Sequence, residues 1–353
     1  MSSHWAERWR AAGRWPDSRF AAGLMRGFAA GDRSTLCRHL LALWLQNVDR
    51  SALSVRTGSM PGMNRVVLGG EAVRAGVATR HELARDYTKL YRGVFVRKGV
   101  EVTLRDRAIG AWLATGRRGV IGGVAASALH GAPWIDAEIP IEVVGVKCRP
   151  RDGLIIHTDA ITSDQITHRS GLPVTTRVRT AFDLGRHLAR TEALARLDAL
   201  MWNQHFDIAD VVELADRLPR LRGIGQLREL LPLVDGGAAS PRESALRLQL
   251  HDKGFPLPET QIPVVVGSRP IAFLDMGWPQ YCVAVEYDGD HHRKNRGQYV
   301  KDIARLRRLD ELGWIVIRVI AEDHPEQWLL RVEQALRSRG CPLELDERQV
   351  LAA

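Results

Sequence analysis

Apolar positions along this chain change their spacing several times, and each change marks a candidate boundary. Through residues 1–62 no period is sustained. The stretches "HWAERWRAAGRW" and "LLALWLQNVDRSALSVRTGSMPGM" hold four of the ten tryptophans among Arg, Ser and Gly. A helical stripe fits around 36–47 but has no partner element. Two readings stand: an ordered N-terminal extension, or upstream sequence from a mis-called start with Met60 or Met63 as the natural beginning. The second is the expectation, because regular patterning starts only at "MNRVVLGGEAV".

From 63 to 100 the pattern sharpens. "GGEAVRAGV" predicts a short helix ending at Gly76. "ATRHELARD" opens with Thr79 and carries Glu82 three residues on, a capping box that starts a second helix. In "KLYRGVFVRKG" apolar and basic residues alternate, which predicts a two-stranded wing closed around Gly93. Helix, turn, helix and basic hairpin describe a winged helix. Residues 101–235 are mixed, with helices in "TLRDRAIGAWLAT" and "VAASALHGAPW", strands in "IPIEVVGV" and "GLIIHTDAI", and a helical run from "TTRVRTAFDLGRHL" onward. His130 and Asp183 lie there in apolar helical context and read as satisfied structural polar groups. "VDGGAASPRESALR" supplies a linker, and Pro241 starts a new helix with Ser240 as its cap.

Beyond that linker, over 240–340, the elements alternate as αβββαβα. Strands are predicted at 261–266, 270–276, 282–288 and through "WIVIRVI", with helices at 241–253, 298–312 and from Pro325. Helices on the faces of a mixed sheet make an α/β domain, and 341–353 is a tail. The predicted class is thus α/β and multi-domain: winged helix, α+β connector and an αβββαβα C-terminal domain.

Composition narrows the function classes. The chain has 353 residues, 45% of them apolar, and a net charge of +9. That charge suits a polyanion such as nucleic acid. Cys37, Cys148, Cys282 and Cys341 form no C-x-x-C pair, so neither a cysteine zinc site nor a disulfide framework is expected, and a reducing cytoplasm fits. No apolar run approaches the ~20 residues of a membrane helix. DNA is the expected partner, with Arg80, His81 and Arg85 against the duplex and Lys89, Arg92, Arg97 and Lys98 on phosphates.

The chemistry is concentrated in "RPIAFLDMGWPQYCVAVEYDGDHHRKN". If this hairpin closes through Pro279–Cys282, Asp275 lies opposite Glu286, with Cα atoms about 4.5–5.5 Å apart. Strand period puts Glu286 and Asp288 on one face. Carboxylates this close repel unless a cation sits between them, and hard oxygen ligands suit Mg2+ or Mn2+. Glu243, in the first turn of the helix from Pro241, reads either as a third ligand or as an acid favoured by the helix N-terminus. A metal on Asp275, Glu286 and Glu243 would activate water, with His292 or His291 moving the proton. Around it Arg293, Lys294, Arg296, Lys301, Arg305, Arg307 and Arg308 form a basic run, and Lys301, Arg305 and Arg308 share one helix face that can follow a phosphate backbone. Asp302 with Arg305 or Arg307 reads equally as a local structural pair.

Two resemblances follow. "GGEAVRAGVATRHELARDYTKLYRGVFVRKG", "ASALHGAPW" and "LPVTTRVRTAFDLGR", within about 64–220, resemble AbiEi-like antitoxins of type IV toxin–antitoxin systems. That resemblance implies operator binding by the winged helix and a toxin partner. "FLDMGW", "VAVEYDGDHH" and "DIARLRRLDELGWIVIRV", within about 240–338, resemble very-short-patch-repair-like endonucleases of the PD-(D/E)xK superfamily. The second implies a restriction-endonuclease-like domain with Asp275 and Glu286 as metal-binding acids. Asp288 stands where that superfamily usually has Lys, which puts activity in doubt; His291, His292 or Lys294 are the substitutes. The leading expectation is a metal-dependent DNA endonuclease. Its rivals are a catalytically inactive antitoxin-like regulator and a protein-interaction module that binds a toxin and no DNA.

Overall fold

A computed structural model describes residues 65–149, 152–289 and 296–343. The expectations for 1–62, His291, His292, Arg293 and Lys294 lie outside the described residues. The chain divides into two compact units, one over 61–248 and the other containing 249–353. Among the described residues no helix is long and apolar enough to cross a membrane.

The first unit opens with strand β1 (Val66–Leu68), helices α1 (Gly69–Arg74) and α2 (Arg80–Asp86), and strands β2 (Tyr87–Tyr91) and β3 (Val94–Arg97). The strands form an antiparallel sheet in the order β1-β3-β2. Gly76 and Gly93 both take positive φ, at the helix end and hairpin turn their sequence context requires. Thr79 caps α2 as read: its Oγ1 accepts from Glu82 N at 3.1 Å, and Glu82 Oε2 accepts from Thr79 N at 2.7 Å.

Helix α3 (Leu104–Ala114) follows, then β4 (Val120–Gly122), α4 (Gly123–Leu129), β5 (Ile141–Val144), β6 (Leu154–His157), β7 (Ile166–Arg169) and β8 (Leu172–Thr175). These strands build a mixed sheet ordered β6-β5-β4-β8-β7. Helices α5 (Arg177–His187), α6 (Arg190–Asn203), α7 (Ile208–Arg217) and α8 (Ile224–Leu230) complete the unit with the start of α9 (Pro241–Asp252). Phe182, Leu184, Leu194, Leu197, Leu200 and Leu214 are fully buried in its helical core, each contributing about 1.5–3 kcal/mol.

Two features link the segments within this unit. Val66, Tyr91 and Val94, from residues 63–100, share one core with Ala108, Ala111, Ile121 and Ile141, from residues 101–235. A segment that short buries too little apolar surface alone, so it leans on α3 and the larger sheet. The glycine-rich linker is also anchored. Asp198 Oδ1 accepts from Asp235 N at 2.8 Å, while its Oδ2 accepts from Ser244 Oγ at 2.7 Å and Arg247 Nη2 at 2.6 Å. Those bonds tie the first turns of α9 to the first unit, and the division falls at Leu248–Gln249 inside the helix.

The second unit holds a four-stranded sheet ordered β12-β11-β10-β9, from β9 (Glu259–Val266), β10 (Arg269–Trp278), β11 (Val283–Tyr287) and β12 (Ile315–Val319). β9, β10 and β11 run antiparallel in turn, and β12 joins parallel to β11. Parallel pairing needs a crossover, which α10 (Arg296–Glu311) provides. Leu309 of α10 packs with Ile262, Val264, Ala272, Leu274 and Ala284. Helix α11 (Pro325–Ser338) lies against β11 and β12, and its Trp328 and Val332 are buried.

Candidate functional site: opposed acids on the second sheet

The β10–β11 hairpin turns through Pro279–Tyr281, with Cys282 in the left-handed region at φ 51°. Its register pairs Met276 with Val285, Gly277 with Ala284 and Trp278 with Val283. Asp275 and Glu286 are the residues next beyond the Met276–Val285 pair. Gly277 is obligatory for the close approach, since a Cβ there would lie 2.3 Å from the Val283 carbonyl oxygen. At the Asp275 step Tyr287 N donates to Asp275 Oδ2 at 3.0 Å. A side-chain oxygen thus accepts from a strand N–H.

Asp275 and Glu286 are both buried, and Glu286 is neutralised from α10. Arg305 Nη1 donates to its Oε1 at 2.9 Å and Nη2 to its Oε2 at 2.6 Å. Burial pushes the Arg305 guanidinium down, but the Glu286 pair, aided by Asp275 and Asp302, holds it above its ordinary value. A bidentate pair fills both carboxylate oxygens with charge-assisted bonds. Asp288 is held otherwise: its N donates to Val319 O at 2.8 Å, and its carboxylate pairs with Arg318, the residue registered beside Glu286 on β12. Among the described residues Asp275, Glu286 and Asp288 do not close into one three-ligand set.

The other residues singled out are dispersed. Glu243 belongs to the first unit and completes a cap: its carboxylate accepts from Ala239 N at 2.8 Å and Ser240 Oγ at 3.0 Å, while its own N donates to Ser240 Oγ at 3.2 Å. Arg305 of the basic helix turns inward to Glu286. Lys301 and Arg308 are exposed, and Arg308 pairs with Glu311 at 2.7 Å. In the N-terminal segment Arg80, His81, Lys89, Arg92, Arg97 and Lys98 are all exposed. Arg85 is exposed too and grips Asp86 through two 2.8 Å bonds.

His130 and Asp183 have structural partners. His130 is buried, with Nε2 2.7 Å from Thr175 O. Desolvation pushes its pKa down to about 4. Asp183 accepts from Arg179 Nε at 2.8 Å and Arg186 Nε at 3.2 Å, inside the "RTAFDLGR" stretch. Around it lies a polar cluster that single-sequence reasoning missed: Glu142, His157, Asp159 and His187. Its one sequence signal was an acid, Glu142, inside the apolar strand "IPIEVV".

Comparison with known proteins bears on the first unit. Residues 120–233 match the family model of the AbiEi antitoxin C-terminal domain. Uncharacterised proteins from two strains of Mycobacterium tuberculosis are each 33% identical over 179 residues, covering 51% of this chain and 65% of theirs. The matched stretch therefore leaves about a third of those relatives' length uncovered. No solved structure matches the chain.

Proposed function

We propose that this protein is a DNA-binding regulator of toxin–antitoxin type, with the acid-bearing second unit serving as a non-hydrolytic module. The observation that carries this reading is the bidentate Arg305–Glu286 pair. A carboxylate already neutralised by a bidentate guanidinium would have to give up two charge-assisted bonds to hold a catalytic cation. The likeness of 120–233 to an antitoxin domain supports the same class. In this reading residues 66–97 act as a winged helix. Exposed Arg80, Lys89 and Arg92 contact the duplex, with Lys301 and Arg308 as a further basic surface in the second unit. A toxin protein is the second partner.

A metal-dependent nuclease stands as the second reading, favoured by one observation: Asp275 and Glu286 are both buried and each adjoins the paired Met276 and Val285 on β10 and β11. Mg2+ or Mn2+ would then be held by these two acids after Arg305 swings to a DNA phosphate, with Arg318 as the nearby cation and His292 as the proton carrier. Incubating supercoiled plasmid with Mg2+ or Mn2+ separates the two. Regulator function predicts retarded migration without nicking, equal for wild type and Glu286→Ala. Nicking by wild type that Glu286→Ala abolishes would establish the nuclease and sink the regulator reading of the second unit.

A further inference from the structure

The first unit carries a cluster that the proposed function does not use. Glu142 lies on β5 and His157 ends β6, paired in parallel register so that Val144 stands beside His157. His187 is the last residue of α5. One ligand atom from each of Glu142, His157 and His187 falls within 4.8 Å of the other two. The three come from sequence positions too far apart for any spacing motif, and only the sheet and α5 bring them together.

The local structure is built around the Glu142 carboxylate. Its Oε1 accepts from Val124 N at 2.9 Å, at the start of α4. Gly123 has φ +55°, and a Cβ there would lie 1.8 Å from that oxygen, so the absent side chain makes the space. The other oxygen, Oε2, stands 2.8 Å from His157 Nε2. His157 and His187 stack with centroids 4.2 Å apart and planes 7° from parallel. His187 Nδ1 is buried and makes no hydrogen bond. Leaving a buried nitrogen without a partner is unfavourable, and a cation would satisfy it.

A second triad, Asp159, Asp183 and His187, shares the last histidine. Its carboxylates are committed to Arg186 and Arg179, so they serve as surrounding charge, not as direct ligands. Glu142, Asp159 and Asp183 set three negative charges against these two guanidiniums. The excess of carboxylates over guanidiniums favours a cation there.

We propose that Glu142, His157 and His187 form a binding site for a zinc-class dication. Two imidazoles and one carboxylate are borderline-soft donors of the kind Zn2+ takes at about 2.0–2.2 Å. Binding swings the two rings out of their stack so that their nitrogens converge beside the Glu142 carboxylate.

The test uses the full chain, stripped of metal by chelation. Titration calorimetry with Zn2+ should show one equivalent bound, and Co2+ should give visible d–d absorption of a low-coordinate nitrogen–oxygen site. His187→Asn and Glu142→Gln should each weaken uptake about tenfold or more. Thr88→Ala, at an exposed position with no part in the cluster, should leave it unchanged. Should either cluster variant fail to fold, X-ray absorption of the Zn2+-loaded wild type decides by counting imidazole ligands, with two expected. Absence of stoichiometric uptake by wild type, retention in both cluster variants, or fewer than two imidazoles would leave Glu142–His157 as a helix-anchoring pair and overturn the proposal.

Discussion

At the residue scale, buried charge in both units is used to fix geometry. Glu286 and Arg305 illustrate the energetics: each alone would be costly to bury, and together they hold α10 over β11 through two short bonds. His130 gives the clearest pH signature. It faces the Thr175 carbonyl, with Arg177 and Arg169 as the nearby cations that oppose its protonation. Its folded pKa of about 4 lies below the ordinary 6.5. The unfolded chain therefore binds a proton that the native chain refuses over that window, and stability contributed at neutral pH is lost as pH falls from 6.5 toward 4. Allowing for partial solvent screening, the effect is roughly 2 kcal/mol. Urea midpoints measured between pH 7 and 4.5 should fall for wild type and fall less for His130→Gln. Parallel slopes for both proteins would remove the assignment.

Among the elements, caps and turns explain where the chain starts and stops its helices. The Thr79–Glu82 box satisfies two orphan N–H groups of α2, and a second box, Thr103 with Asp106, starts α3. Thr79→Ala should destabilise the first unit by about 1 kcal/mol, read as a lower urea midpoint with unchanged secondary structure by circular dichroism. No loss would mean that packing on α3 alone sets the start of α2. Glu243 belongs with these caps. Its position in "SPRES" suited either a ligand or an N-terminal acid, and its carboxylate accepts from Ala239 N and Ser240 Oγ. Strand β11 shows the opposite economy. Val283, Ala284, Val285 and Glu286 are buried in succession, as in a strand covered on both faces, and the acid is tolerated there because Arg305 meets it.

For the whole molecule, the testable consequence is electrostatic. Binding through the exposed basic residues should be strongly salt-dependent, with log Kd rising about linearly with log salt. Replacing Lys89 or Arg92 by Ala should lower that slope by about one unit each, uniformly across DNA sequences. Fluorescence anisotropy on a labelled duplex from 50 to 200 mM salt checks this. A slope insensitive to both changes would remove DNA from the N-terminal segment and favour the protein-interaction module.

The order of elements was legible in the chain because local signals carry it. Thr79 and Glu82, the glycines at 76 and 93, and the apolar runs of 261–266 and 315–319 each act within a few residues. The β10–β11 hairpin itself was likewise legible, in the turn through Pro279–Tyr281 and the apolar runs on either side of it. What the sequence could not show was which partner each buried charge would meet. Arg305 read as part of a phosphate-facing stripe, yet the crossover through α10 delivers it to Glu286. Glu142, His157 and His187 are scattered along the chain and share no motif, and only parallel pairing of β5 with β6 and the end of α5 collect them. Local backbone preference is short-ranged and written in neighbouring residues, whereas charge pairing inside a fold depends on contacts between distant segments, which exist only once the sheets have closed.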